Sequence, residues 1–147
     1  MSTNGTLLKP VLMADDDPDD RSLAEEAFKT ARVRNPLRFV EDGEKLLAYL
    51  HDCAGKADEP CLPALILLDL NMPGLDGREA LRAIKHTPGL QVIPVVVWTT
   101  SQAEEDIASA QAAGCDAFIT KPPSFSELVR LVGVISDRWL RAPAGGG

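Results

Sequence analysis

The chain is short of basic charge, of paired cysteines and of long apolar runs, and each shortage removes a class of function. Lys and Arg number 15 against 22 Asp and Glu, giving a net charge of −7 and a pI of about 4.8. Nucleic-acid binding rests on basic side chains neutralising phosphates, so this balance argues against it, and equally against an anionic membrane surface. No apolar run approaches the roughly 20 residues of a membrane span. The opening Met1-Ser2-Thr3-Asn4-Gly5-Thr6 lacks the basic region and apolar stretch of a secretory signal. Cys53, Cys61 and Cys115 are odd in number and share no Cys-x-x-Cys spacing, which fits reduced thiols in the cytoplasm. His51 and His86 fall on helical stretches away from the strand ends and are assigned no chemistry. There is no internal repeat and no linker that would hold a second domain apart, and 147 residues suit one domain.

What is present is a series of short apolar runs that each stop at a polar residue. Pro10–Ala14 reads as a buried strand ending in Asp15-Asp16-Asp17. Asp17 is a natural N-cap, with Pro18 at the first helical position and Asp19 and Asp20 as helix-start charges. Leu23, Ala24, Ala27, Phe28 and Ala31 carry that helix to near Val33, where Asn35-Pro36 breaks it. Leu37–Val40 is a second strand, followed from Asp42-Gly43 by a helix with Leu46, Leu47 and Leu50. Leu65–Leu68 is the third strand and ends at Asp69, after which Asn71 and Pro73-Gly74 force a loop. Leu75–Lys85 is a third helix, Ile93–Trp98 a fourth strand ending in Thr99-Thr100-Ser101, and 102–113 a fourth helix capped by Thr100 or Ser101. Asp116–Thr120 is a fifth strand ending in Lys121-Pro122-Pro123, and Ser124-x-x-Glu127 caps a last helix running to Trp139 and Leu140. Residues 1–9 read as loose, 10–140 as the domain, and 141–147 as a disordered tail. No output domain is expected after residue 140.

Alternation of strand and helix favours right-handed crossovers and parallel pairing. The strands are continuously apolar, as expected when helices cover both faces of a sheet. The fold class is therefore α/β, a doubly wound sheet of five parallel strands with five helices. In such a sheet the carboxyl ends of all strands share one edge, which is where ligands bind. That edge gathers Asp15 and Asp16, Asp69, Thr99 and Thr100, and Lys121. Clustered carboxylates raise one another's pKa unless a cation sits among them, and Mg²⁺ takes such oxygen donors. A metal and an ammonium together suit a phosphoryl group. Asp69 stands apart from the acidic pair, at the end of the strand nearest the sheet centre. It is the candidate nucleophile for an aspartyl phosphate. Each residue alone has a plainer reading: Asp15 and Asp16 as caps, Thr99 as strand-end polarity, Lys121 as a solvated lysine. Their shared edge is what argues for chemistry. Trp98 and Trp139 read as packing residues.

These residues resemble a receiver domain of the two-component response-regulator superfamily, in the single-domain style of chemotaxis regulators. The resemblance spans about residues 10–140 and rests on Ala14-Asp15-Asp16-Asp17-Pro18, on Leu68–Gly77, on Thr99 and on Lys121-Pro122. The segments Leu68–Glu79, Ile93–Asp106 and Ile119–Pro122 are similar to response regulators that partner bacterial phytochrome histidine kinases. The resemblance implies a sheet order of 2-1-3-4-5 and a phosphoryl group accepted on Asp69 from a kinase phosphohistidine. It implies Mg²⁺ held directly by Asp16 and mostly through water by Asp15, with Asp69 and the Asn71 backbone carbonyl completing the protein ligands. Thr99 and Lys121 would contact the phosphoryl oxygens. Phe118 would be the switch aromatic, acting by packing because it lacks a hydroxyl, and the face formed by the fourth helix, the fifth strand and the last helix would repack. The Lys121–Pro122 peptide would be cis. The only reactions implied are self-phosphorylation from a phosphodonor and autodephosphorylation. The implied partners are a phytochrome-type sensor kinase and a second copy of the chain, with Trp139 and Leu140 either joining that homodimer or packing on their own sheet. Two other readings stay open. One is a Mg²⁺-dependent phosphatase of the haloacid-dehalogenase kind, suggested by Asp15-x-Asp17. The other is a receiver-like module that binds partners without phosphorylation.

Overall fold

The computed structural model describes residues 8–54, 62–70, 72, 77–100 and 103–140. Five parallel strands form one sheet: β1 (Val11–Ala14), β2 (Leu37–Val40), β3 (Leu65–Leu68), β4 (Val95–Thr99) and β5 (Ala117–Thr120). Their order is 2-1-3-4-5, as expected from the resemblance. β3 lies between β1 and β4, with Ala14 opposite Leu68 and Leu68 opposite Val97. The carboxyl ends of β1, β3 and β4 are thus level along one edge.

The helices are α1 (Pro18–Thr30), α2 (Gly43–Ala54), α3 (Gly77–Lys85), α4 (Glu104–Ala112) and α5 (Phe125–Ile135). Strand alternation sorts the apolar side chains into two cores. Leu12, Ile66, Leu68, Val95 and Val97 face Leu46 and Leu50 of α2, Leu81 and Ile84 of α3, and Ala110 of α4. Val11, Met13, Leu65, Leu67, Val96 and Trp98 face Phe28 of α1 and Leu128, Val132 and Ile135 of α5. β1, β3 and β4 are buried along their whole length, which is why they read as unbroken apolar runs.

Several boundaries differ from the sequence expectation, each for a local reason. α1 stops at Thr30 rather than near Val33, because Arg32 turns left-handed at φ 62°. Val33 N–H then donates to Phe28 O at 3.0 Å and Arg32 N–H to Lys29 O at 3.0 Å, closing the helix before Asn35-Pro36 is reached. α4 begins at Glu104 with Ala103 as its N-cap and no side-chain capping bond. Thr100 is therefore not the cap, and Ser101 lies outside the described residues. Glu104, Glu105 and Asp106 supply the negative charge that a helix start favours. α5 ends at Ile135 and continues as a π-helical turn over Ser136–Leu140. Trp139 and Leu140 are half-buried against the second core, with the Arg138 guanidinium 4.7 Å from the Trp139 ring centre. The Lys121–Pro122 peptide is trans, since no cis peptide bond occurs among the described residues. Cis costs an X-Pro bond only about 0.5–1 kcal/mol, so trans prevails wherever packing does not demand otherwise. The caps at Asp17 and Ser124 are as expected, accepting from Asp19 N–H at 2.9 Å and Glu127 N–H at 3.3 Å.

Two devices hold the sheet edges in register. At the amino-terminal edge the Lys85 ammonium donates to Ile93 O and to Asp116 Oδ2, both at 2.9 Å, and Asp116 Oδ2 also accepts Val95 N–H at 2.8 Å. At the carboxyl edge α3 starts against the backbone that follows Asp69. A Cβ on Gly77 would stand 2.7 Å from Asp69 O and 2.8 Å from Leu70 Cα. Both are backbone atoms that cannot swing aside. Gly77→Ala is expected to lower stability by about 1–3 kcal/mol, the usual cost of overpacking, as read by urea unfolding. A stability within error of the parent would show that α3 can shift freely.

Candidate phosphoryl-acceptor site

The carboxyl edge brings Asp15, Asp69 and Lys121 into direct contact across more than a hundred residues of sequence. The fold explains each position. Asp15 follows β1, and its N–H donates to Val40 O of β2 at 3.0 Å. Asp69 follows β3, and its N–H donates to Ala14 O at 3.0 Å. Lys121 follows β5, and its N–H donates to Thr99 O at 2.8 Å. Each residue is thus the first beyond its strand, pinned by the neighbouring strand's last carbonyl.

The side chains then converge. Lys121 Nζ lies 2.9 Å from Asp15 Oδ2, 2.9 Å from Asp69 Oδ2 and 2.6 Å from Asp20 Oδ2. The ammonium has three N–H donors and meets three carboxylates. Asp15 is fully buried, and only 7% of the Asp69 side chain and 10% of the Lys121 side chain reach solvent. The other Asp15 oxygen accepts Asp17 N–H at 2.9 Å, and Arg21 Nη1 donates to the Asp15 carbonyl at 2.9 Å. Burial pushes the Asp15 carboxyl up to about 6, against the opposing pull of the Asp17 amide and the Lys121 ammonium. Burial alone would lower Lys121. Its hydrogen bonds to Asp20, Asp69 and Asp15 outweigh that and hold it above the ordinary lysine range.

Asp15, Asp20 and Asp69 each offer one oxygen, and the three lie within 4.8 Å of one another. Hard carboxylate donors at this spacing fit a divalent cation such as Mg²⁺. Asp16 is exposed and stands outside this group, so the structure does not gather it with Asp15. Asn71 lies outside the described residues. Thr99 is fully buried at the end of β4. Phe118 is half-buried and packs on the core beneath α2, α3 and α4. Val97 pairs with Phe118 and Thr99 with Thr120, so Thr99 and Phe118 share one face of adjacent strands, a diagonal step apart.

Asp20 is the site residue that helix-start reasoning missed. As the third residue after the Asp17 cap it looks like dipole complement. Yet side chains tilt toward a helix's N-terminus, and this helix starts one turn above the end of β1. The tilt therefore returns the Asp20 carboxylate to the pocket. Asp17 goes the other way: it is exposed and occupied as a cap, which removes the second carboxylate of the dehalogenase-like Asp15-x-Asp17 motif.

The chain matches the response regulator receiver domain family over residues 11–133. It is 36% identical to the response regulator Rcp1 of Synechocystis over 140 residues, covering 95% of each chain. Among solved structures, the phosphorylated cyanobacterial phytochrome response regulator RcpA is 38% identical with a TM-score of 0.80, covering 92% of this chain and 95% of RcpA. The Mn²⁺-bound form of Rcp1 is 36% identical with a TM-score of 0.78, covering 92% of this chain and 96% of its own. With the five-stranded order and the acidic pocket at its carboxyl edge, the chain belongs to the response regulator receiver domain family.

Proposed function

We propose that Asp69 is the phosphoryl acceptor of a phosphorelay and that a phytochrome-type sensor histidine kinase is the donor. The observation that carries this is the Asp69 carboxylate at the end of the central strand, bonded to Lys121 and beside buried Asp15. Receiver domains bind Mg²⁺ or Mn²⁺ at their acidic pocket. Asp15, Asp69 and the Asn71 carbonyl are the proposed holders here, with exposed Asp16 entering from the rim. The cation neutralises phosphoryl oxygens in transfer.

In the transfer an Asp69 oxygen forms a bond to phosphorus as the donor's bond to phosphorus breaks and its electrons leave with the histidine. Asp69 then carries roughly two negative charges in place of one and additional acceptor oxygens. Lys121 is placed to follow those oxygens. The Thr99 hydroxyl is proposed to turn toward them, and Phe118, on the same sheet face, to repack into the space released. Moving such a switch from about 1:99 to 99:1 requires about 5.5 kcal/mol of differential interaction. Two or three charge-assisted hydrogen bonds of about 1.5–3 kcal/mol each are enough.

The output under this reading is a changed α4–β5–α5 surface in the cytoplasm, where Cys53 and Cys115 remain thiols. No helix among the described residues is long and apolar enough to cross a membrane. Receiver domains are typically non-catalytic signalling modules, so the reading includes no turnover beyond gain and loss of the phosphoryl group. A homodimer is part of the proposal, supported by the exposed Val134 on α5 and the half-buried Trp139 in the turn that follows it. Light scattering checks it, and a monomer at high concentration would count against it.

Intact mass after incubation with acetyl phosphate tests the main claim. One phosphoryl adduct is expected on the parent with Mg²⁺, and none on Asp69→Asn or after chelation. An adduct that persists in Asp69→Asn would move the acceptor elsewhere. No adduct on any form would leave a receiver-shaped binding module.

A further inference from the structure

The geometry points to Asp20 as a positioning residue that competes with the phosphoryl group for Lys121 and so restrains phosphorylation of the pocket. The inference rests on the reading of Asp69 as acceptor and adds a residue to it. Its basis is the contact from the first turn of α1: Asp20 Oδ2 lies 2.6 Å from Lys121 Nζ, closer than either Asp15 or Asp69 at 2.9 Å.

The three carboxylates are not equivalent. Asp15 is fully buried and accepts a backbone N–H as well, so it stays in place whatever happens at Asp69. Asp69 gives up acceptor strength when it becomes an acyl phosphate, and the new oxygens become the stronger partners for the ammonium. Asp20 is the remaining rival. Its side chain is 30% exposed and reaches in from a helix rather than from a strand end. It carries no phosphoryl group itself, so its carboxylate goes on competing for the ammonium after Asp69 is phosphorylated. Two consequences have the same sign. The ammonium must be shared between Asp20 and the phosphoryl oxygens, and a fixed anion stands beside a group arriving with about two negative charges. Loss of the Asp20 charge would not release Lys121 from the pocket, because Asp15 still holds it. Asp20 thus favours the unphosphorylated state and raises the threshold for unassisted phosphorylation.

The test uses the full chain at saturating Mg²⁺ with beryllofluoride as a phosphoryl mimic, its binding followed by calorimetry and its bound form by ¹⁹F NMR. Asp20→Asn keeps the shape and removes the charge. It is expected to bind the mimic about tenfold more tightly, equivalent to about 1.4 kcal/mol. Its rate of phosphorylation by acetyl phosphate is expected to rise by a similar factor. Asp20→Glu, which restores the charge, is expected to return both values toward the parent. A merely structural role would shift the melting temperature without this charge-dependent rescue. Unchanged or weaker binding in Asp20→Asn, with the parent binding normally, overturns the inference and leaves Asp69 as acceptor intact. A loss of affinity for Mg²⁺ alone of about tenfold or more in Asp20→Asn also overturns it, by making Asp20 a metal ligand. Absence of any bound beryllofluoride on the parent overturns both readings together.

Discussion

Lys121→Met is expected to destabilise the metal-free domain by about 3–5 kcal/mol, and added Mg²⁺ to restore most of the loss. The size follows from what the ammonium leaves behind. Asp15 and Asp69 are almost wholly enclosed, and Asp20 is two-thirds covered. Breaking a buried ion pair by removing one partner costs about 3–5 kcal/mol, because an uncompensated charge stays in a poor solvent. Here one cation serves three anions, so the cost lies toward the upper end unless a proton or metal replaces it. Methionine preserves most of the aliphatic stem, which confines the change to charge. The Mg²⁺ response is the discriminating part. A cation that binds the folded pocket and not the unfolded chain stabilises by RT ln(1 + [L]/Kd), about 2.7 kcal/mol at a hundredfold excess over Kd. Urea unfolding of parent and variant, each with Mg²⁺ or with chelator, measures both effects. A variant as stable as the parent in chelator would mean that the carboxylates are not held together by Lys121. A variant whose loss ignores Mg²⁺ would mean that Asp15 and Asp69 do not form a cation site.

The same pocket shows how far sequence reaches in this fold. Strand ends are legible because β1, β3 and β4 are buried on both faces, so their apolar runs are unbroken and the first polar residue marks the edge. That places Asp15, Asp69 and Thr99 at one edge; Lys121 follows the half-buried β5, whose apolar run is also unbroken up to Thr120. Parallel pairing follows from the alternation of elements, whereas the strand order is what the family resemblance implies. Direction is less legible. Asp15 and Asp16 are adjacent, but successive residues beyond a strand face different ways. The buried carboxylate is Asp15, while Asp16 stands in solvent. Asp20 is hidden by a competing explanation, since an acid in a first helical turn is favoured by the dipole wherever it points. Only the tilt of α1 over β1 decides that it enters the pocket. The end of α1 is misplaced in the sequence for a related reason. Asn35-Pro36 is a strong local breaker, yet a left-handed Arg32 ends the helix first, and arginine carries no signal for that conformation. The start of α4 is set by three successive acids rather than by a hydroxyl cap, so a search for Ser or Thr puts the boundary too early.

Asp15 gives the site a pH dependence whose sign reverses when a metal is bound. Burial raises its folded-state value to about 6 from an ordinary 3.8. A group raised on folding contributes stability that is complete below the unfolded value and is lost as pH rises through the folded one. The metal-free domain should therefore lose about 3 kcal/mol from this group between pH 4 and pH 6, because each pH unit separating the two values is worth about 1.36 kcal/mol. Lys121, also raised, contributes in the same sense but loses its share only in the alkaline range, so the two windows are separate. Metal binding requires the ionised carboxylate. Mg²⁺ affinity is accordingly expected to fall about tenfold for each pH unit below 6, as a proton competes for the Asp15 oxygen. Unfolding free energy against pH should thus slope downward from pH 4 to pH 6 in chelator and upward in saturating Mg²⁺. Asp15→Asn should flatten both curves: it removes the buried charge, so the metal-free variant is more stable than the parent at pH 7, while its Mg²⁺ response is lost. That exchange of stability for a charged pocket is what a site built to receive a cation and a phosphoryl group requires. The carboxyl ¹³C resonance of Asp15, titrated in chelator, reads the cause directly. A midpoint near 4 would refute the expectation, because the pocket would then be ionised at no cost and neither slope would appear.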